Sequence, residues 1–199
     1  MVSAILLAAG ESRRMGTLKQ LLPILDKSFV KCCVDNLLAS KASEVIVVIG
    51  HQEYLIRKEL SDSPVKLAYN PDYRQGMATS VVRGIEAISP DSHAALIALV
   101  DQPQIGPDIL NRIIDAYEAE RALIMIPTYR GRNGHPIVAD MRLKDEITNM
   151  DVRSGLRGVV HAHEAELAHI DIGSDEVLID FDYPEDYRRL REQMTHREE

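Results

Sequence analysis

The sequence predicts an α/β fold, a single three-layer α/β/α domain built on a mostly parallel sheet. Three observations predict it. Short apolar runs alternate with segments of helical period along most of the 199 residues, the order that produces parallel strands wrapped by helices. The runs are continuous rather than alternating, as strands covered on both faces must be. No internal repeat, low-complexity linker or break in composition offers a place to cut the chain. One domain is therefore expected over residues 1–194, with Thr195–Glu199 as a tail that has nothing to pack against and frays.

The elements follow in order. Ser3–Leu7 is the first strand; it is too short, and lacks the preceding basic region, for a signal peptide. A helix is expected over Ser28–Ala39, a strand over Glu44–Ile49, a helix over Gln52–Glu59 and a strand over Val65–Tyr69. The helix Met77–Ala87, the strand Ala94–Leu99 and the helix Pro107–Arg121 come next, with Pro107 suited to a first helical turn. Leu123–Pro127 is a further strand. Gly131, Gly134 and Pro136 then break the chain before a short strand, Ile137–Ala139. A helix over Gly155–His163, a strand over Leu167–Ile170 and an apolar run over Val177–Phe181, taken as another strand, lead to a closing helix from Pro184 to about Gln193.

A formal charge of −8 repels polyphosphate backbones and argues against nucleic acid as partner. It leaves room for a small anion, which feels a local cluster rather than the mean charge. No run is long and apolar enough to span a bilayer. The only cysteines, Cys32 and Cys33, are adjacent, a poor geometry for a relaxed disulfide, and fall on a helical segment as buried thiols. A cytoplasmic protein with small-molecule partners is expected, with neither membrane nor nucleic acid among them.

The strongest chemical signal follows the first strand: Leu7-Ala8-Ala9-Gly10-Glu11-Ser12-Arg13-Arg14-Met15-Gly16, then Lys19 and Leu21-Leu22-Pro23. In an open α/β sheet, ligands bind beyond the carboxyl ends of the strands. Ala8, Ala9 and Gly10 let the backbone approach a ligand closely. Arg13, Arg14 and Lys19 concentrate positive charge in an acidic protein, as an anionic ligand requires. Neither the P-loop pattern nor the dinucleotide fingerprint is present, which disfavours a nicotinamide oxidoreductase.

Three further stretches fit the same picture. Asn70 to Ser80 places Gly76 ahead of small and hydroxylated residues at a helix start, an anion or ribose site as well as an ordinary cap. Asp101, in Val100-Asp101-Gln102-Pro103, closes an apolar strand with a hard oxygen ligand suited to Mg²⁺. The stretch Asp180-Phe181-Asp182-Tyr183-Pro184-Glu185-Asp186 supplies a second carboxylate at another strand end, while Glu185 and Asp186 suit the first turn of a helix. The remaining histidines show no zinc spacing.

Taken together, the first loop, the Asn70–Ser80 segment, Asp101-Gln102-Pro103 and Asp182 resemble the MobA-like nucleotidyltransferases, over a span from Ile5 to Asp186. The resemblance implies a Rossmann-like nucleotidyltransferase sheet of the GT-A kind. It implies that Arg14 and Lys19 hold the NTP phosphates, with Arg14, Lys19 and Asp101 as catalytic groups. Leu7, Ala8, Ala9 and Gly10 would border base and ribose, and Asn70, Gly76 and Ser80 would also contact the nucleotide. Asp101 and Asp182 would hold Mg²⁺. Gly134-His135-Pro136 is similar to the family's stretch near the acceptor, and Arg157 falls near another acceptor motif whose spacing differs here. A buried, hydrogen-bonded His135 is an equal reading, so no catalytic role is given to it. Within the family the residues resemble the molybdenum cofactor cytidylyltransferase branch, with Ala9 where the guanylyltransferase branch carries glycine. That branch implies CTP and molybdopterin as substrates and a transient contact with a molybdoenzyme. A guanylyltransferase, a sugar- or alcohol-phosphate nucleotidyltransferase and a non-catalytic accessory protein that carries nucleotide or cofactor are the alternatives.

Overall fold

The computed structural model describes residues 1–195. The strands are β1 (Val2–Leu7), β2 (Pro23–Ile24), β3 (Lys27–Ser28), β4 (Glu44–Ile49), β5 (Lys66–Tyr69), β6 (Ala94–Leu99), β7 (Ile124–Tyr129), β8 (Arg132–Asn133), β9 (Ile137–Asp140) and β10 (Leu167–Asp171). The helices are α1 (Phe29–Leu38), α2 (Glu53–Glu59), α3 (Met77–Ala87), α4 (Pro107–Glu120), α5 (Lys144–Thr148), α6 (Gly155–Ala162) and α7 (Pro184–Thr195). Of the expected tail, Thr195 ends α7, and the rest lies outside the described residues.

The main sheet runs β10-β7-β9-β6-β1-β4-β5, with β8 paired to β7. It is parallel except at β9, which is antiparallel to β6 and β7, and at the short β8. Strand alternation divides the core into two layers on the sheet's two faces. Ala4, Leu6 and Ala8 pack with residues of α1 and α4, among them Val34, Leu37, Ile113 and Tyr117. Ile5, Leu7 and Ala9 pack with Val81 and Ile85 of α3 and Val159 of α6. The α1 start is capped by Ser28, whose hydroxyl accepts from the Lys31 amide, leaving Phe29, Val30, Cys33, Val34 and Leu37 as its buried stripe. Among the described residues no helix is long and apolar enough to cross a membrane.

Two differences from the sequence reading bear on the site. The run Val177–Phe181 is not a strand: Asp175–Leu178 makes a single 3-10 turn and the chain then runs on irregularly to α7. Val177 is buried because it packs under the Gly134 loop and contributes its carbonyl there, not to a ladder. The short β2–β3 hairpin and α5 have no counterpart in the sequence pattern, since neither is long enough to show a period.

The topology brings two loops together. In register, Leu7 at the end of β1 lies opposite Leu99 at the end of β6. The segments Ala8–Lys19 and Val100–Gln104 therefore leave the sheet side by side, at its carboxyl edge.

Candidate active site

At this edge Lys19 donates from Nζ to Asp101 Oδ2 at 2.6 Å and to Asp182 Oδ1 at 2.7 Å. Arg14 Nη1 donates to Asp182 Oδ2 at 2.8 Å. Burial works against the Lys19 charge, but Asp101 and Asp182 outweigh it and leave the ammonium pKa above its ordinary value. Burial also works against an ionised Asp182, and the Lys19 and Arg14 contacts outweigh that, so its pKa lies below the usual carboxylate value. Lys19 and Asp182 are consequently both charged at neutral pH. The second oxygen of Asp101, Oδ1, is buried and has no hydrogen-bond partner among the described residues. Two carboxylates share one ammonium, and one of them keeps a free, hard oxygen.

Asp182 reaches this place without a strand to carry it. The Phe181 amide donates to the Asp101 carbonyl at 3.0 Å. Gln102 Nε2 donates to Asp180 Oδ1 at 2.9 Å, and Gln104 Nε2 donates to the carbonyls of Glu176 and Ile179 at 2.9 and 2.8 Å. Phe181 is pinned edge-on against Phe29 in a small cluster with Ile24 and Leu190. The loop after β6 and the segment before α7 thus form one stitched unit that holds both carboxylates. Sequence reasoning gave roles to the two aspartates and missed the two glutamines; only their position beside Asp101 could have signalled them.

The first loop forms one wall of a cleft of about 340 Å³, lined by Gly10, Glu11, Ser12, Arg13, Arg14, Lys19, Tyr73, Arg74 and Asp182. Four cations against two carboxylates line it, a local positive excess in an acidic protein. Glu11 accepts from Arg13 at 2.5 Å and from Arg74 at 2.9 Å. Arg74 was not singled out from the sequence, although it lies in the Asn70–Ser80 segment. Leu7, Ala8 and Ala9 are buried, their side chains in the core, so they can meet a ligand only through backbone; Gly10 is exposed.

The other predicted residues divide. Asn70 and Ser80 are buried, and Asn70 Nδ2 donates to Ser80 Oγ and Thr79 Oγ1, both at 2.9 Å. Their polar atoms are used on each other and brace the turn before α3. Gly76 takes φ of +129°, a conformation that favours glycine, with open space where a side chain would stand. Gly134 is buried, and a Cβ there would lie 2.3 Å from the Val177 carbonyl oxygen. Its small size serves packing against the 3-10 turn. His135 is mostly buried. Burial lowers its pKa while the nearby Asp101 charge opposes the shift, so the ring is neutral at neutral pH. Arg157 is exposed on α6, whose first residue, Gly155, lies beside Ala78 of α3. No contact joins it to the Lys19 cluster among the described residues.

Comparison with known proteins points the same way. The chain is 27% identical to the molybdenum cofactor cytidylyltransferase of Escherichia coli (strain K12), over 98% of this chain and 97% of that one. It is 28% identical to the purine catabolism protein PucB of Bacillus subtilis (strain 168), covering 96% of each. Rv0371c from Mycobacterium tuberculosis H37Rv superposes with a TM-score of 0.85 at 28% identity, over 96% of this chain and 97% of that one, and that protein has also been crystallised with manganese. Residues 4–167 match the model of the MobA-like NTP transferase domain. That match spans the first loop, the Asn70–Ser80 turn and Asp101, and with it the chain belongs to the MobA-like nucleotidyltransferases, a family of enzymes.

Proposed function

We propose that the protein transfers CMP from CTP to molybdopterin with release of pyrophosphate, using Mg²⁺. The observation that carries this reading is the cluster at the ends of β1 and β6. There Lys19 bridges Asp101 and Asp182, Arg14 stands beside them, and Asp101 Oδ1 is left without a partner among the described residues. A place that an ammonium fills between two carboxylates suits a divalent cation as well. Mg²⁺ usually takes one or two carboxylates and completes its shell with substrate phosphates and water, so Asp101 and Asp182 fit it. When bound there, Mg²⁺ would offset phosphate charge and make the α-phosphorus more electrophilic.

The rest falls to the chain's own residues. An acceptor phosphate oxygen attacks the α-phosphorus, the bond to the β-phosphate oxygen breaks, and pyrophosphate departs with its electron pair. A phosphate monoester is already a nucleophile, so positioning and charge neutralisation are the main tasks. Arg14 and Lys19 hold the departing phosphates. The Ala8–Gly10 backbone borders the nucleoside, and Gly76 is assigned a further nucleotide contact, with Asn70 and Ser80 keeping its turn in shape. Gly134, His135 and Arg157 are assigned to the acceptor side, where a neutral His135 offers a hydrogen bond without adding charge. Ala9, together with the similarity to the Escherichia coli cytidylyltransferase, supports CTP as donor and molybdopterin as acceptor.

The test is pyrophosphate release with Mg²⁺ and CTP, GTP, ATP or UTP in turn, each with and without molybdopterin. Release with CTP plus molybdopterin alone is the expected result. Turnover with GTP in its place would keep the reaction and overturn the use of Ala9 for base choice. Absence of both turnover and nucleotide binding would remove the account of the first loop.

A further inference from the structure

Gln20 is completely buried, directly behind the first loop, and nothing in the mechanism above uses it. Its Nε2 donates to the carbonyl of Ala8 and to the carbonyl of Gly10, both at 2.9 Å. Its Oε1 accepts from Ser12 Oγ at 3.0 Å, and that hydroxyl in turn accepts from the Lys19 amide at 3.1 Å. Carbonyls can only accept, so the amide can face them only with its nitrogen, and both of its protons are committed. One buried side chain thus holds the loop at Ala8, Gly10 and Ser12 and, through Ser12, the backbone of Lys19.

The consequence lies in the peptide planes. In a trans peptide the C=O and the following N–H point in opposite directions. With the Ala8 and Gly10 carbonyls turned inward to Gln20, the N–H groups of Ala9 and Glu11 are turned the other way. Among the described residues neither of those amides has an acceptor within the chain. Gly10, between them, has open space where a side chain would stand, and Gly10 and Glu11 both line the cleft.

We infer that Gln20 is a positioning residue for nucleotide binding: by holding the Ala8 and Gly10 carbonyls inward it presents the Ala9 and Glu11 amides to the NTP. The inference rests on the reading of the loop under Proposed function. Two oriented amides add donors to the charges of Arg14 and Lys19, and donors set in advance cost little reorganisation when the anion arrives.

Two variants and one spectrum test it. Gln20→Met removes the donors. Gln20→Glu keeps the shape and the acceptor for Ser12 but sets a carboxylate against two carbonyl oxygens, so at least one must turn away. In variants whose circular dichroism matches that of the parent, KM for CTP should rise about tenfold, the equivalent of about 1.4 kcal/mol, while kcat changes much less. A purely structural role would lower the melting temperature and leave KM in place. Because either variant can fail to fold, the unmodified protein provides the independent measurement. On titration with CTP and Mg²⁺, the ¹⁵N–¹H signals of Ala9 and Glu11 should shift in step with saturation. If CTP binds and those two signals stay still, or if folded variants keep the parental KM, Gln20 has no such role. If the unmodified protein binds no nucleotide, the reading of the loop falls, and this inference with it.

Discussion

The two ends of the sheet invite comparison, because each carries a charged cluster around a hollow of nearly the same size. At the amino end, His93, Arg121, Asp140, Met141 and Arg142 line about 330 Å³; at the carboxyl end the cleft beside Lys19 has about 340 Å³. Size and charge do not separate them. At the amino end, Asp140 accepts from the Tyr117 hydroxyl at 2.7 Å and from the Arg142 amide at 2.8 Å. Glu118 meets His93 at 2.8 Å and Arg121 at 2.9 Å. At the carboxyl end, Asp101 Oδ1, Gln102 Oε1 and Gln104 Oε1 are buried without partners, and no other described residue has such an atom. Buried polar groups are normally satisfied, since an orphan costs about 1–3 kcal/mol. The amino-end cluster is closed on itself and stabilises. The carboxyl-end cluster keeps spare bonding capacity, which is what a ligand uses.

Substitutions at the two ends should break or sharpen that contrast. The largest effect is expected from Asp101→Ala. Pyrophosphate release should fall by on the order of a hundredfold or more, the loss typical of a main electrostatic group, with the melting temperature little changed. An equal loss of activity and stability would mean that the carboxyl-end cluster is structural too.

Asp140→Ala should do the reverse. It leaves the Tyr117 hydroxyl with only the His93 carbonyl, at 3.4 Å, removes the acceptor of the Arg142 amide, and should cost about 1–3 kcal/mol in urea unfolding, with kcat/KM for CTP unaltered. The acid limb adds a check of sign. Burial works against an ionised Asp140, but its bonds from Arg142 and Tyr117 outweigh that and hold its pKa below the ordinary 3.8. Its stabilisation is therefore present above that pH and is lost as pH falls through the folded-state value. The stability gap between parent and variant should persist at pH 7 and 5 and close below about pH 3.8. A gap independent of pH would show that the carboxylate is not the stabilising group.

Arg14→Met is the mildest. The Arg14 side chain is 65% exposed, so loss of its pair with Asp182 should cost less than about 1 kcal/mol of stability. KM for CTP should rise by roughly tenfold, the scale of one charge-assisted contact. An unchanged KM would take Arg14 out of the phosphate site.

Much of the fold was legible because its signals are local. β4 and β6 were read at their observed limits, as was α3, because continuous apolar runs and the helical period are properties of a short window. Val177–Phe181 misled for the same reason: a window of apolar residues cannot tell a strand from a turn that packs under a loop. In the site, Arg14, Lys19, Asp101 and Asp182 stood out through residue type and place and do come together. Asn70 and Ser80 had equally suggestive chemistry, yet they bond to each other. Gln20, Gln102 and Gln104 gave no sign, since a glutamine in sequence does not reveal which carbonyls it will face.

By itself, then, the sequence determined the order of the longer strands and helices and the loop that carries the cations, because periodicity, turn chemistry and charge are written over short stretches. Only the tertiary structure decided which charges meet. Lys19 reaches Asp101 across 82 positions and Asp182 across 163, distances in sequence that no local pattern spans. The pairing of β1 with β6 closes the first, and the bond from the Phe181 amide to the Asp101 carbonyl brings in the second. Whether a polar atom is spent or spare depends on every neighbour that packing brings to it, and that is known only when the chain has folded.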